Sequence, residues 1–274
     1  MNIIRAKHGG VCVGVERAIR MALEAAEKWK HVYSLGPLIH NRIAVEDLRK
    51  KGIITVDKLN EIMNKKVIIR SHGVHPTVLD RLKKRGFTII DATCPRVRRA
   101  QRYVEKLIDE GYYVIIVGQR DHPEVKGLLG YAHNRAEIYS DKIKIIRRKI
   151  GVVPQTTLDI EHFNAAVAHL MNDVLEMKIY NTICHETIVR IKEAKKIAKK
   201  ADVMIVVGGK NSANTTKLYQ ICKKFKPSYH IESPDEISRE WFTGIKNIGI
   251  TAGASTPKDQ VDNVIKYLRK IFPK

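Results

Sequence analysis

Three cysteines, Cys12, Cys94 and Cys184, each stand 24 residues ahead of a glycine that closes an apolar run. This coincidence constrains the fold more than any other feature of the chain. The runs are Val32-Tyr-Ser-Leu-Gly36, Val114-Ile-Ile-Val-Gly118 and Val203-Met-Ile-Val-Val-Gly208. A β-branched stretch leads into each cysteine: Asn2-Ile-Ile-Arg5 before Cys12, Phe87-Thr-Ile-Ile90 before Cys94, and Glu176-Met-Lys-Ile-Tyr180 before Cys184. Between cysteine and glycine the apolar residues recur with helical spacing, over 13–29, 96–110 and 186–200. A strand, a cysteine, a helix and a strand, three times at fixed spacing, read as three copies of one unit.

Each copy continues in the same alternation, which predicts parallel sheets in an α/β fold. In the first, a helix near 44–51 leads to strand Ile53-Ile-Thr-Val56, a short helix near 59–63 and strand Val67-Ile-Ile-Arg70. Pro76 then opens a helix to Lys84. In the second, the helix after Pro123 leads to Glu137-Ile-Tyr139 and strand Gly151-Val-Val-Pro154, then a helix over 158–174. In the third, 214–225 is helical, Tyr229-His-Ile231 and Asn247-Ile-Gly-Ile250 are strands, and Pro257 opens the last helix. The first two copies close with a strand that feeds the next cysteine, and the third ends without one. The strand at Ile3-Ile4, which feeds Cys12, is its replacement. The expected domains are 14–94, 95–181 and 182–274, the last completed by residues 1–13, in a pseudo-threefold trefoil that brings the three cysteines towards one axis.

Ligands of open parallel sheets gather at the carboxyl ends of the strands. After the first strand of each copy stand Ile39-His40-Asn41, Asp121-His122-Pro123-Glu124 and Lys210-Asn211-Ser212-Ala213-Asn214. After the later strand stand Ser71-His72-Gly73, Gln155-Thr156-Thr157 and Ala254-Ser255-Thr256. These are neutral donors beside helix starts, with one carboxylate, Glu124. Such a set suits a phosphate or diphosphate. Taken singly, Ser212, Asn214, Thr157 and Ser255 are better read as helix caps; their recurrence at equivalent strand ends favours a binding site for the set.

The chain has four cysteines, no signal-peptide pattern ahead of the first strand and no apolar stretch near the roughly 20 residues a membrane span needs. A cytoplasmic protein with reduced thiols is expected, and such cysteines ligate metal or do chemistry more often than they form bridges. Cys222, within Tyr219-Gln-Ile-Cys222, reads as a core residue. Zinc sites show ligands two to four residues apart, and no such pair exists here. Single thiols 82 and 90 residues apart fit an iron–sulfur cluster held by three domains. With three ligands, one iron of a four-iron cluster stays open. Beside a diphosphate pocket and a carboxylate, an open Lewis-acidic iron suggests reduction of an oxygenated diphosphate.

The combination and order of these motifs resembles the 4-hydroxy-3-methylbut-2-enyl diphosphate reductase family. The residues that carry the resemblance span essentially the whole chain: Gly10-Val-Cys12-Val-Gly14-Val-Glu-Arg17, His40-Asn41, Ser71-His72-Gly73, Ala92-Thr-Cys94-Pro95, His122-Pro123-Glu124-Val125, Gln155-Thr156-Thr157, Ile183-Cys184, Asn211-Ser212-Ala213-Asn214 and Thr251-Ala-Gly-Ala-Ser255. The resemblance implies a trefoil around a 4Fe–4S cluster held by Cys12, Cys94 and Cys184, its fourth iron open to substrate. It implies that His40, His72, His122, Thr156, Ser212, Asn214 and Ser255 bind substrate, and that Glu124, with Thr156 and His122, serves the proton transfer. The reaction implied is reductive dehydroxylation of (E)-4-hydroxy-3-methylbut-2-enyl diphosphate to isopentenyl and dimethylallyl diphosphates, the last step of the non-mevalonate isoprenoid pathway. The chain departs from the family pattern at Val11, where an aromatic is usual, and at Glu186 and Ile191, where a small residue and a glutamine are usual; Thr187 and Arg190 match.

Fifty Lys and Arg against 29 Asp and Glu leave a net charge of +21. Most of the excess reads as solvated helix faces. Part of it suits an acidic electron donor such as ferredoxin or flavodoxin. A nucleic-acid-binding protein with a structural metal is the alternative the charge suggests. Stacking platforms would then interleave with the basic residues, whereas aromatics are 6% of the chain and do not cluster with them. A cluster-bearing dehydratase acting on another oxygenated substrate, a carboxylate, is a second alternative. It calls for an arginine fork rather than His, Ser and Asn donors.

Overall fold

The computed structural model describes residues 1–144 and 148–272. In chain order its elements are β1 (Asn2–Arg5), α1 (Val13–Trp29), β2 (Val32–Leu35), α2 (Arg42–Lys50), β3 (Ile53–Val56), β4 (Lys66–Ile69), α3 (Pro76–Lys84) and β5 (Thr88–Asp91). Then come α4 (Pro95–Asp109), β6 (Tyr113–Val117), α5 (Pro123–Tyr131), β7 (Ala136–Ile138), β8 (Lys149–Pro154), α6 (Ile160–Met171) and β9 (Glu176–Ile179). The remainder is α7 (His185–Ala198), β10 (Val203–Val207), α8 (Ala213–Lys223), β11 (Ser228–Ile231), β12 (Asn247–Ala252) and α9 (Lys258–Ile271).

The strands form three four-stranded sheets, in the orders β3-β2-β4-β5, β7-β6-β8-β9 and β11-β10-β12-β1. Every pairing among the described residues is parallel. The order is the same in each: the strand after the cysteine helix lies between the next strand and the later one, and the later one pairs with the strand that feeds a cysteine. In the third sheet that feeding strand is β1, whose Asn2–Arg5 run in register with Asn247–Ile250 of β12.

Close contacts divide the chain into two compact units, one of Met1–Glu16, Ile39–Lys51 and His185–Lys274, the other of Arg17–Leu38 and Gly52–Cys184. In the first, β10 is buried along its whole length, so it reads as an unbroken apolar run. Val203, Ile205 and Val207 face Val261, Val264 and Leu268 of α9, and Met204 and Val206 face Ala194, Ile197, Leu218 and Ile221 of α7 and α8. Cys222 lies in that second layer, fully buried. In the other unit, Val114 and Ile116 of β6 pack on Ala100, Val104, Leu107, Val125 and Leu128 of α4 and α5. Tyr33, Val67 and Ile69 of β2 and β4 pack on Leu82 of α3.

Most expected helices agree to within a residue or two at each end, and two differ more. The helix expected over 59–63 is a single 3-10 turn, Leu59–Glu61. The helix expected over 158–174 runs only over Ile160–Met171, because Asp159 takes the cap position and accepts from the Glu161 N–H at 3.2 Å. Leu158 instead closes a turn onto the Gln155 carbonyl. Pro257, expected to open the last helix, sits at its N-cap, one residue before α9.

Candidate active site

The three repeated cysteines share one setting. Helix α1 starts directly after Cys12, Cys94 is the N-cap of α4, and α7 starts directly after Cys184. Each cysteine donates its backbone N–H to the carbonyl of the residue two past the end of the later strand. Cys12 reaches Ala254 at 3.0 Å, Cys94 reaches Ser71 at 2.9 Å and Cys184 reaches Thr156 at 2.8 Å. All three are half-buried, at helix N-termini, where the backbone dipole favours negative groups. Cys222 differs in kind, since burial pushes its thiol up to about 12.

In the unit that holds β4, β6 and β8, four of the expected site residues meet. His122 caps α5, and its Nδ1 accepts the Glu124 N–H at 3.2 Å. With Nδ1 used as an acceptor, neutral His122 carries its proton on Nε2, as a donor. The His72 ring stands edge-on to it, 5.5 Å between centroids. Glu124, in the first turn of α5, is 2% exposed. The Thr156 backbone N–H donates to one of its carboxylate oxygens at 2.7 Å and the Thr156 hydroxyl to the other at 2.8 Å. Burial pushes the Glu124 carboxyl up to about 7, against those two hydrogen bonds, which lower it. A carboxyl that titrates near neutrality can both give and take a proton. The loops reach one another here because Gly118 lacks a side chain: a Cβ there would lie 2.8 Å from Val125 Cγ2 and 2.9 Å from Gln155 Cβ.

In the other unit the expected residues gather around the start of α8. Ser212 caps that helix, its hydroxyl oxygen accepting the Thr215 N–H at 3.3 Å, so the cap expected of Ser212 is present. Asn214 is no cap. It is buried, and its Nδ2 has no partner among the described residues. Ser255 is no cap either; its hydroxyl donates to the His40 carbonyl at 2.9 Å. A Cβ on Gly209 would meet that same His40 carbonyl at 2.7 Å, so this glycine is what lets the segment of His40 and Asn41 lie against the loop before Ser212. Asn41 caps α2 and donates to Gln260 at 2.8 Å, a buried amide pair. Thr157, in the other unit, accepts from Gln155 at 2.9 Å and leaves the cap of α6 to Asp159.

The structure also brings forward residues whose contacts the sequence did not foretell. Gln260 anchors Asn41, and nothing in its helical setting distinguishes it. Arg190, noted only as a match to the family pattern, donates to the carbonyls of His8 and Gly10, each at 2.8 Å, and Glu193 accepts from the backbone of Lys7 and His8 at 2.8 and 2.9 Å. No helix among the described residues is long and apolar enough to cross a membrane.

A family model described as LytB protein matches residues 3–269. The 4-hydroxy-3-methylbut-2-enyl diphosphate reductase of Citrifermentans bemidjiense is 44% identical over 99% of this chain and 98% of its own length. That of Syntrophotalea carbinolica is 44% identical over 97% and 98%. Similar solved structures include the following two. A (E)-4-hydroxy-3-methyl-but-2-enyl diphosphate reductase, described as the terminal enzyme of the non-mevalonate pathway, has TM-score 0.72 and 39% identity over 98% of this chain and all of that one. The E-1-hydroxy-2-methyl-but-2-enyl-4-diphosphate reductase of Plasmodium falciparum has TM-score 0.92 and 28% identity over 98% and 88%.

Proposed function

The chain belongs to the LytB protein family, and from that premise we propose that it reduces (E)-4-hydroxy-3-methylbut-2-enyl diphosphate to isopentenyl and dimethylallyl diphosphates. The observation that carries the reading is Glu124, a fully buried carboxyl raised to about 7 and held at both oxygens by Thr156. In the reaction the allylic C–O bond breaks, the hydroxyl takes a proton and leaves as water, two electrons enter the allyl fragment and a second proton closes a C–H bond. Glu124, raised to about 7, carries the first proton in a large fraction of molecules at neutral pH, and Thr156 orients its carboxyl through both oxygens.

Cys12, Cys94 and Cys184 fit a cluster of iron and sulfide: three half-buried thiols in equivalent turns, against a fourth, Cys222, sealed in the core. We assign them as the ligands of a 4Fe–4S cluster with one iron open. When bound, the cluster supplies electrons one at a time and Lewis acidity. For the diphosphate we assign His40, His72, His122, Ser212, Asn214 and Ser255. The buried Asn214 Nδ2, unpartnered among the described residues, is the strongest support, since a buried donor without an acceptor costs about 1–3 kcal/mol until one arrives. His122 offers Nε2–H. Ser255 must turn its hydroxyl away from the His40 carbonyl to donate to a ligand.

The domains on this reading are 14–94, 95–181 and 182–274 with 1–13, and the enzyme works in the cytoplasm, where thiols stay reduced. It also requires an electron donor, which we take to be an acidic protein of the ferredoxin or flavodoxin kind. Arg96, Arg99 and Arg102 recur at helical spacing just after Cys94, and none makes an ion pair among the described residues, whereas Arg98 between them pairs with Asp91. Steering by such a face weakens with salt, so the rate of reduction by the donor protein falls as ionic strength rises; a rate indifferent to salt removes the docking face. An anaerobic assay with a chemical reductant tests the activity itself. Turnover of the allylic diphosphate and none of hydroxy acids is expected, and the reverse would overturn the reading.

A further inference from the structure

The turns that carry the repeated cysteines differ in how their backbone is held. Before Cys94 the strand β5 ends at Asp91, and the Asp91 carboxylate accepts the Thr93 N–H at 2.9 Å, two residues on. Before Cys184 the same local device recurs, with Asn181 accepting the Ile183 N–H at 3.1 Å. Such short polar side chains close a turn from within it. The path to Cys12 is longer, from the end of β1 at Arg5, and Lys7, His8, Gly9 and Gly10 offer no such acceptor.

Its hydrogen bonds go to one stretch of α7. The Glu193 carboxylate accepts the Lys7 N–H at 2.8 Å and the His8 N–H at 2.9 Å. The Arg190 guanidinium, 2% exposed, donates Nε–H to the His8 carbonyl and an Nη2 hydrogen to the Gly10 carbonyl, both at 2.8 Å. The His8 ring adds Nδ1 at 3.2 Å from Glu193. Burial pushes the Glu193 carboxyl up, but the hydrogen bonds from His8 and Lys7 outweigh it and hold the group below its ordinary range. Arg190 and Glu193 are three residues apart and so share a helix face. The loop is tight: a Cβ on Gly9 would lie 3.1 Å from the Ala252 nitrogen, and Gly10 has φ +122°, a conformation open to glycine.

We propose that Arg190 and Glu193 are positioning residues for Cys12, a clamp in trans that does for the first cluster ligand what Asp91 and Asn181 do locally for the other two. The proposal rests on the assignment of Cys12 as a ligand. Two backbone donors and two backbone acceptors are satisfied by one turn of helix, so loss of Glu193 releases the N–H groups of Lys7 and His8, and loss of Arg190 releases the carbonyls of His8 and Gly10. With both gone, Cys12 keeps only its own N–H bond to Ala254 and its place at the head of α1.

The test uses the anaerobic holoenzyme, challenged with an iron chelator in the presence of iodoacetamide, with peptide mapping of the alkylated cysteines. In Glu193→Ala, Cys12 is labelled ahead of Cys94 and Cys184 and about ten-fold faster than in the unaltered protein, the equivalent of about 1.4 kcal/mol, or one hydrogen bond. Glu193→Gln, which keeps one of the two acceptors, restores part of the protection, and a Lys192→Ala control on the exposed face of the same helix changes nothing. Arg190→Lys is the partner variant, since deleting a buried guanidinium outright risks the fold. Labelling of Cys12 in Glu193→Ala no faster than in the unaltered protein overturns the clamp while leaving the ligand assignment intact. Labelling of Cys12 in the unchallenged holoenzyme at full iron content overturns both.

Discussion

Glu124 and Asn214 occupy the same place in two copies of one frame. Each stands two residues after the cap of the helix that follows the first strand end, His122 in one case and Ser212 in the other. In both copies the second residue after the later strand accepts a cysteine N–H. In one copy that residue is Thr156, and it satisfies both carboxylate oxygens. In the other it is Ala254, with no hydroxyl to offer, and Asn214 Nδ2 is without a partner among the described residues. One frame thus yields a buried acid satisfied by its neighbour in one copy and a buried amide donor without a partner among the described residues in the other; on the proposed function the first serves proton transfer and the second an anion.

The largest expected effects belong to what the copies share. Cys12→Ser, Cys94→Ser and Cys184→Ser each abolish the cluster, while Cys222→Ser keeps it, as read by iron and sulfide per chain in anaerobic preparations. Cys222 is sealed in the layer between β10 and the helices α7 and α8, with its thiol pushed up to about 12, far from the thiolate a metal needs. If Cys222 proved as necessary as the others, the equivalence of the copies would fail with it.

Next comes the position where the copies part. Glu124→Gln preserves shape and can still accept from Thr156, but cannot deliver a proton. General acid–base assistance is typically worth about 10²–10⁴-fold, so turnover falls at least about 100-fold while the cluster assembles and the diphosphate binds. Helix-start acids are common for dipole reasons alone, with a worth of a few tenths of a kcal/mol or so. Near-normal turnover of the variant would leave Glu124 in that role and nothing more.

The division between the copies was only partly legible in the amino-acid sequence. The apolar runs Val114-Ile-Ile-Val and Val203-Met-Ile-Val-Val announce fully buried parallel strands, and the structure has them as β6 and β10. The cysteine turns were legible because spacing is a property of the chain. Glu124 stood out as the one carboxylate at a strand end, but its shifted titration follows from burial, which only the assembled fold creates. The clamp of Arg190 and Glu193 on residues 7–10 joins positions more than 180 apart and leaves no local pattern. Helix ends erred where a side chain competed with the backbone, as Asp159 does at the start of α6.

A smaller effect is expected where the amide replaces the acid. Asn214→Ala removes one buried donor, and a hydrogen bond to a charged group is worth about 1.5–3 kcal/mol, which corresponds to roughly 10-fold or more in KM for the diphosphate. If Asn214 serves the diphosphate as proposed, and not the breaking bond, kcat changes little. A fall in kcat at unaltered KM would place Asn214 with the reacting atoms and erase the contrast with Glu124.

The smallest effect concerns stability, and its sign separates the two positions without any substrate. Glu124 has a folded-state value of about 7 against an ordinary 4.5, so between those limits the folded chain binds more protons at this site than the unfolded chain does. Stability from this group is therefore fully present below about pH 4.5 and is lost as pH rises through about 7. Glutamine at the same place does not titrate. The difference in melting temperature, Glu124→Gln minus the unaltered protein, should consequently grow more positive from pH 5 to pH 8. Each tenfold difference in proton affinity between the folded and unfolded chains is worth about 1.4 kcal/mol, here discounted for relaxation of the buried site. At about 2–4 °C per kcal/mol for a chain of this size, a change of a few degrees is expected. Asn214→Ala shows no such trend, because nothing at that position titrates. A difference for Glu124→Gln that stays flat or moves the other way would mean that water or a cation reaches the carboxylate, and the acid would then lack the near-neutral titration that fits it for the proton.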